Sequence, residues 1–359
     1  MTPTDFCLRY RQEITRTLPI EVAPAILSSL EKNYYPSRQE VLTDEAMHGD
    51  ILANLVRRQE AFERFLIPWI NIRRSLAGAS VADIGCGTGS STAAFARAAR
   101  MVRGYEIDPG PAAVAQDKLN ALGFSNATVT RVEPEETIDK LRGDFPNGVD
   151  VVALIAVLEH MTEIERMDFL PRIWDFLRPG NILVIAEVPN RLTYNDDHTA
   201  QIPFFHMLPR ELKLRCLDLS PRRDFTDSMR GVASAGAEAV EKAFCRWGIG
   251  LSFHDFEAGF GVSNLEQIML ADGYEHATLE WWPPSVEETV LMKYFLEKPI
   301  HKPMGFCRSV LNFIFVKPYP NSPAQVMLRH DPGHIDRVFT SEHWPEGALE
   351  RMKSLSTGV

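Results

Sequence analysis

Apolar and polar positions follow three successive patterns along this chain of 359 residues. Up to about residue 75, apolar residues recur at helical spacing between charged ones. In ILANLVRRQEAFERFLIPWI, for example, Ile51, Leu55, Phe62, Phe65 and Leu66 share one face. This predicts a helical extension without visible chemistry, serving as a lid or a dimer face. From 76 to 194, short apolar runs alternate with helical stretches: SVADIG then SSTAAFARAA, VRGYEID then PAAVAQDKLNALG, ATVTRV, VDVVALIAV then TEIERMDFLPRIWDFL, and NILVIAEV. The runs are rich in Val, Ile and Ala and apolar on both faces, as strands of a parallel sheet are when helices cover each side. The pattern predicts a doubly wound α/β core. Residues 195–270 interrupt it with His-, Pro- and Arg-rich loops and helical pieces, an inserted cap. HATLEWW and VLNFIFVKP, within 271–320, read as two returning strands, and 321–359 form a tail without a readable pattern.

Composition narrows the function. With 45% hydrophobic and 24% charged residues the chain can bury a sizeable core, and a net charge of −10 opposes a grip on phosphate backbones, so no nucleic-acid partner is expected. No apolar run approaches the ~20 residues of a membrane span, and Asp5, Arg9 and Arg11 precede any signal-like core. The expectation is a cytoplasmic protein without a membrane partner. Cys7, Cys86, Cys216, Cys245 and Cys307 are odd in number and scattered, which argues for free thiols over disulfides or a thiolate metal site.

One stretch carries the chemistry. VADIGCGTGSSTAAFARAA sets Gly85, Gly87 and Gly89 between an apolar strand and a helix, so bare backbone and free N–H groups at the helix start offer a seat for a ligand. A dinucleotide wants G-x-G-x-x-G, and neither register completes it, since Ser90 and Thr92 occupy the third position. S-adenosylmethionine enzymes carry an acid two residues before G-x-G-x-G, and DIGCGTG fits. From this point the chain resembles the class I S-adenosylmethionine-dependent methyltransferases over roughly 78–192. The resemblance implies a Rossmann-like, mostly parallel seven-stranded sheet with S-adenosyl-L-methionine as cofactor and S-adenosyl-L-homocysteine as product. It also implies cofactor contacts at Asp83, Gly85, Cys86, Gly87 and Gly89. Glu106 in RGYEID, next to Ile107, would accept both ribose hydroxyls, a task suited to an acceptor-only carboxylate. Glu133 or Glu135 would meet the adenine, and Ala156 and Leu158 of ALIAVLEHM would lie beside the cofactor, with Glu159 and His160 behind. Asn181 in LRPGN replaces a family glycine.

Beyond the fifth strand, PNRLTYNDDHTAQIPFFHMLP and SFHDFEAGFG gather candidate substrate groups. His198 and His254 are candidate general bases, with Asp197, Glu257, Tyr194 and His206 around the pocket. A metal shared by His198, His254 and Glu257 is a competing reading, but without a recognised signature no metal is expected. Arg210, Lys213, Arg215, Arg222, Arg223 and Arg230, interspersed with acids, read as a solvated face, with reception of an anionic substrate as the functional alternative. The expected function is methyl transfer to O, N or S of a small or medium-sized organic acceptor. The alternatives are an NAD(P)-dependent oxidoreductase and a non-catalytic binder of the same cofactor.

Overall fold

The computed structural model describes residues 1–37, 40–194, 196–296 and 304–320; the tail expected at 321–359 lies outside them. Seven strands form the sheet: β1 (Ser80–Ile84), β2 (Met101–Glu106), β3 (Ala127–Arg131), β4 (Val151–Ile155), β5 (Ile182–Pro189), β6 (Met269–Ala271) and β7 (Val310–Val316), in the order β3-β2-β1-β4-β5-β7-β6. β1 pairs in parallel with β2, through Ser80↔Met101, and with β4, through Val81↔Val151. β2 and β3 are parallel, while β6 and β7 are antiparallel. Every residue of β1 and β4 is buried, as strands covered on both faces require. The expected α/β class, with its mostly parallel sheet of seven strands, is the one observed.

The chain divides into two compact units, 1–155 with 176–184 and 156–175 with 185–359. In the first, the N-terminal helical segments bury Phe6, Ile14, Ile26, Leu27, Ile51 and Leu55 in one cluster that reaches Val114 of the helix Pro109–Ala121. Three five-residue π-helical turns, Leu30–Tyr34, Ala53–Arg57 and Phe62–Leu66, punctuate these segments. Such turns displace backbone groups from the regular helical ladder and often mark functional sites. Here the carbonyl of Asn54, in the second turn, accepts a hydrogen bond from Lys118.

In the second unit, the helices Arg223–Val232 and Ala237–Arg246 close an aromatic cluster of Phe205, Phe225 and Phe244. The helix Phe253–Phe260 packs Phe256 and Phe260 against Phe315 of β7, and Phe260 stacks on Trp174. HATLEWW is a helix, His276–Trp281, and not the expected strand; β6 comes from MLA just before it. Ala277, Thr278 and Leu279 are buried in succession, which a half-exposed strand does not allow, and Glu275 accepts from the N–H groups of Asp272 and Gly273 just ahead of the helix. Trp281 is half-buried and Trp282 exposed.

One buried ion pair ties this unit together. Arg166, almost wholly buried, sets Nε 3.2 Å from Asp255 Oδ1 and donates to the carbonyls of Leu158 and Met161. Asp255 also caps its own helix through Ser252. Removing one partner of a buried pair leaves the other charge stranded. Asp255→Ala should therefore lower the unfolding free energy by ~3–5 kcal/mol in denaturant titration, and a loss under ~1 kcal/mol, the level of a surface pair, would contradict this account.

Candidate functional site: a cofactor loop and a polar cluster in the cap

In the first unit, the carboxyl end of β1 delivers Asp83, 1% exposed, whose Oδ2 accepts hydrogen bonds from Ser91 (2.7 Å) and Thr92 (2.6 Å) at the start of the helix Ser90–Ala98. Burial raises the Asp83 carboxyl to about 6 against the pull of the two hydroxyls. The intervening loop turns on Gly85, Gly87 and Gly89, with φ of +70°, +53° and +82°. Gly89 is pressed to the helix Pro109–Ala121, where a Cβ would stand 2.8 Å from the Ala115 Cα, whereas a Cβ at Gly87 would meet open space. The loop thus offers bare backbone on one side and close helix packing on the other. Gly85 and Cys86 donate to the carbonyl of Tyr105 on β2. One residue on, Glu106 Oε2 accepts from Gly87 N–H at 2.7 Å and Oε1 from Ile107 and Asp108 N–H. Ile107 is exposed. Cys86 is buried and its thiol held well above the ordinary range, so it acts as packing. Glu133 is exposed and bonds Arg131, and Glu135 is exposed too.

The extension that looked chemically silent supports this loop. Lys118, fully buried, donates to the Asn54 carbonyl (2.9 Å) and to Ser90 Oγ (3.1 Å), and burial lowers its ammonium to about 7. Asn54 Oδ1 accepts from Thr88 of the loop, while its amide donates to Tyr35, which donates to Asp50. The sequence signal was a lysine four residues after Val114, on the buried face of its helix.

In the second unit, Ala156 follows β4 with φ +54° and donates to the Ala186 carbonyl. A left-handed alanine is strained backbone of the kind that collects at functional sites. Leu158 is buried in the turn Leu158–His160. Beside it, Glu159 is fully buried, 3.9 Å from His160 Nε2. His160 Nδ1 meets the Arg246 carbonyl at 3.1 Å, where it must donate, so Nε2 carries the lone pair. Burial keeps His160 below its ordinary value and, with His160 and His206 nearby, brings His198 down to about 4. His198 Nδ1 is buried without a hydrogen-bond partner, and a Cβ on Gly248 would overlap its ring.

Ligand atoms of Glu159, His160 and His198 lie within 4.8 Å of one another, so among the described residues these three are able to share a divalent ion. That trio shares only His198 with the competing metal reading and includes neither His254 nor Glu257. The acid that enters the cap interior is Asp196, not the exposed Asp197. Asp196 accepts the N–H groups of Thr199 and Ala200 and faces His206 Nε2 at 3.1 Å. Desolvation opposes its ionisation, but His206 and the two N–H groups outweigh it and hold the carboxyl below the usual range. His254 is exposed, with Nδ1 3.3 Å from Ser252 Oγ, and Glu257 is half-buried. Tyr194 is partly exposed against Phe204.

Known proteins match the first of these sites. A family model described as methyltransferase domain matches residues 82–183. The ubiquinone biosynthesis O-methyltransferase of Pseudomonas putida (strain GB-1) is 36% identical over 98 residues, 27% of this chain and 40% of that protein. Its counterpart in Pseudomonas aeruginosa (strain LESB58) is 34% identical over 97 residues, again 40% of its length. The chain therefore spans well under half of the curated relatives it matches. Among solved structures, the plantazolicin methyltransferase BpumL in complex with SAH aligns with 82% of this chain and 98% of its own, at 13% identity and a TM-score of 0.40. Residues 82–183 thus match a methyltransferase domain, and the cofactor expected of such a domain is S-adenosylmethionine.

Two measurements probe the loop. Glu106→Ala should weaken S-adenosylhomocysteine binding by about a hundredfold in calorimetry, the worth of two charge-assisted hydrogen bonds, and unchanged affinity would contradict the ribose assignment. For Asp83, the folded value lies above the unfolded one near 4, so the folded state holds an extra proton between them and loses stability as pH rises from about 4 to 6. Asp83→Asn removes that dependence. Over this window the wild-type melting temperature should fall relative to the variant's, and parallel curves would show that the carboxyl is not raised.

Proposed function

We propose that this protein transfers a methyl group from S-adenosylmethionine to an O, N or S nucleophile of a small or medium-sized organic molecule. The observation that carries the reading is the Gly87 N–H held by Glu106 inside a glycine loop with an open face, within the region matched by the methyltransferase family model. The seat fits the cofactor: a carboxylate whose Oε2 keeps an acceptor site for a ribose hydroxyl, and bare backbone beside it. When bound, the sulfonium supplies an electrophilic methyl carbon for in-line displacement. The chain's own contribution is to hold the acceptor in line and exclude water.

The cap supports a base for hydroxyl or amine acceptors. His198 is neutral at physiological pH, and its buried Nδ1 has no hydrogen-bond partner among the described residues. His254, Tyr194, Asp197, His206 and Glu257 remain candidate pocket residues. In this reading the N-terminal extension serves the cofactor loop through Asn54 and Lys118. The five cysteines are all free, which supports a cytoplasmic home.

The test is incubation of the full chain with methyl-labelled S-adenosylmethionine and a small-molecule extract. Label should enter the low-mass fraction, and label confined to protein or nucleic acid would overturn the acceptor class. With an acceptor in hand, His198→Ala should leave S-adenosylhomocysteine affinity unchanged and lower kcat by ~10²–10⁴-fold. Wild-type turnover should persist from neutral pH down to about 5 and fall as His198 protonates near 4. A fall centred near 6.5 would implicate an unperturbed histidine instead.

A further inference from the structure

Lys213 lies on the short helix Arg210–Arg215 and is only 5% exposed. Its Nζ stands 5.8 Å and 5.7 Å from the ring centroids of Phe205 and Phe244, both fully buried. Among the described residues it makes no hydrogen bond and no ion pair. The neighbouring cations are answered: Arg191 donates twice to Glu163, at 3.1 and 3.2 Å, and Arg210 donates to Glu211 at 2.5 Å. A partly desolvated ammonium near two aromatic rings gains some cation–π attraction but has no carboxylate in contact.

Lys213 is one of the residues that line an open cavity of about 500 Å³, in the size range of small-molecule pockets. Its other walls include Arg191, Leu192, His206, Met207 and Glu241. Leu192 and Met207 are 38% and 47% exposed, an apolar surface that a ligand would cover with gain. Glu241, exposed on the rim, attracts Lys213 without touching it and would repel a second negative charge on a ligand.

We infer that this cavity binds an amphipathic organic acid, its carboxylate on Lys213 and its apolar body over Leu192 and Met207. A monoanionic carboxylate satisfies the lysine, whereas a phosphate monoester brings a further charge against Glu241, and a neutral ligand leaves the lysine unanswered. The inference goes beyond the methyltransferase reading and stands on this cavity alone.

Calorimetric titration of the full chain with 4-phenylbutyrate, 4-phenylbutanol and 4-phenylbutyl phosphate tests it. The carboxylate should bind at least about tenfold more tightly than either of the others. Lys213→Met, which keeps the stem and removes the buried charge, should erase that preference while retaining the wild-type melting temperature or raising it. Lys213→Gln provides a second neutral variant if the first does not fold. Equal binding of acid and alcohol, tighter binding of the phosphate, an unaltered preference in the folded variant, or no binding of any of the three at millimolar concentration would overturn the inference. Parallel titration with S-adenosylhomocysteine separates the two readings. Cofactor binding without acid binding removes this inference alone, and acid binding without cofactor binding removes the methyltransferase reading alone.

Discussion

A carboxylate withdrawn from water at the carboxyl end of β1 organises the first unit. Asp83 has nothing to ionise against except two hydroxyls, and both belong to the first turn of the following helix. Satisfying that oxygen fixes where the helix begins. Between the strand end and the helix start the loop turns left-handed at three positions, and a glycine holds each. The same economy continues outward. Glu106 spends one oxygen on Gly87 and the other on its own chain, Lys118 holds Ser90 from beneath, and Asn54 holds Thr88 from the extension. Each bond fixes a loop atom through a buried partner, so the seat is rigid before any ligand arrives.

The second unit follows a different rule. Its loops hold polar groups answered by backbone: Asp196 locally by Thr199 and Ala200, Asn190 across the chain by its donations to the carbonyls of Phe306 and Arg308, Thr199 by its donation to the carbonyl of Gly248. Two groups there invite a ligand: His198 has a buried ring nitrogen without a hydrogen-bond partner, and Lys213 has an ammonium beside two rings without a contacting acid. Groups left in this state inside a well-bonded framework are where a ligand supplies what the fold does not. Strain agrees with this, since Ala156 and Glu187, near the carboxyl ends of β4 and β5, both hold positive φ.

Periodicity made most of the first site legible. Apolar runs marked the strands, DIGCGTG marked the loop, and the position of Glu106 at the end of the second run marked its carboxylate. What escaped were residues whose role depends on contacts distant in sequence. Lys118 reads as one charge on a helix until Asn54, 64 residues away, is brought to it. In NDDH two adjacent aspartates are indistinguishable on paper; backbone N–H groups at Thr199 and Ala200 select Asp196 for burial and leave Asp197 in solvent. His254 follows a helix cap that points it outward, and the six cationic residues read as one solvated face include a single buried lysine. HATLEWW misled because aromatic and β-branched content suggests a strand, whereas the segment forms the helix His276–Trp281.

The account turns on what occupies the glycine loop. Calorimetric titration of the purified protein with S-adenosylmethionine, S-adenosylhomocysteine and NADH addresses it directly. The account predicts micromolar binding of the first two and none of the third. Binding of NADH alone would contradict it and make the loop a dinucleotide seat of unusual sequence.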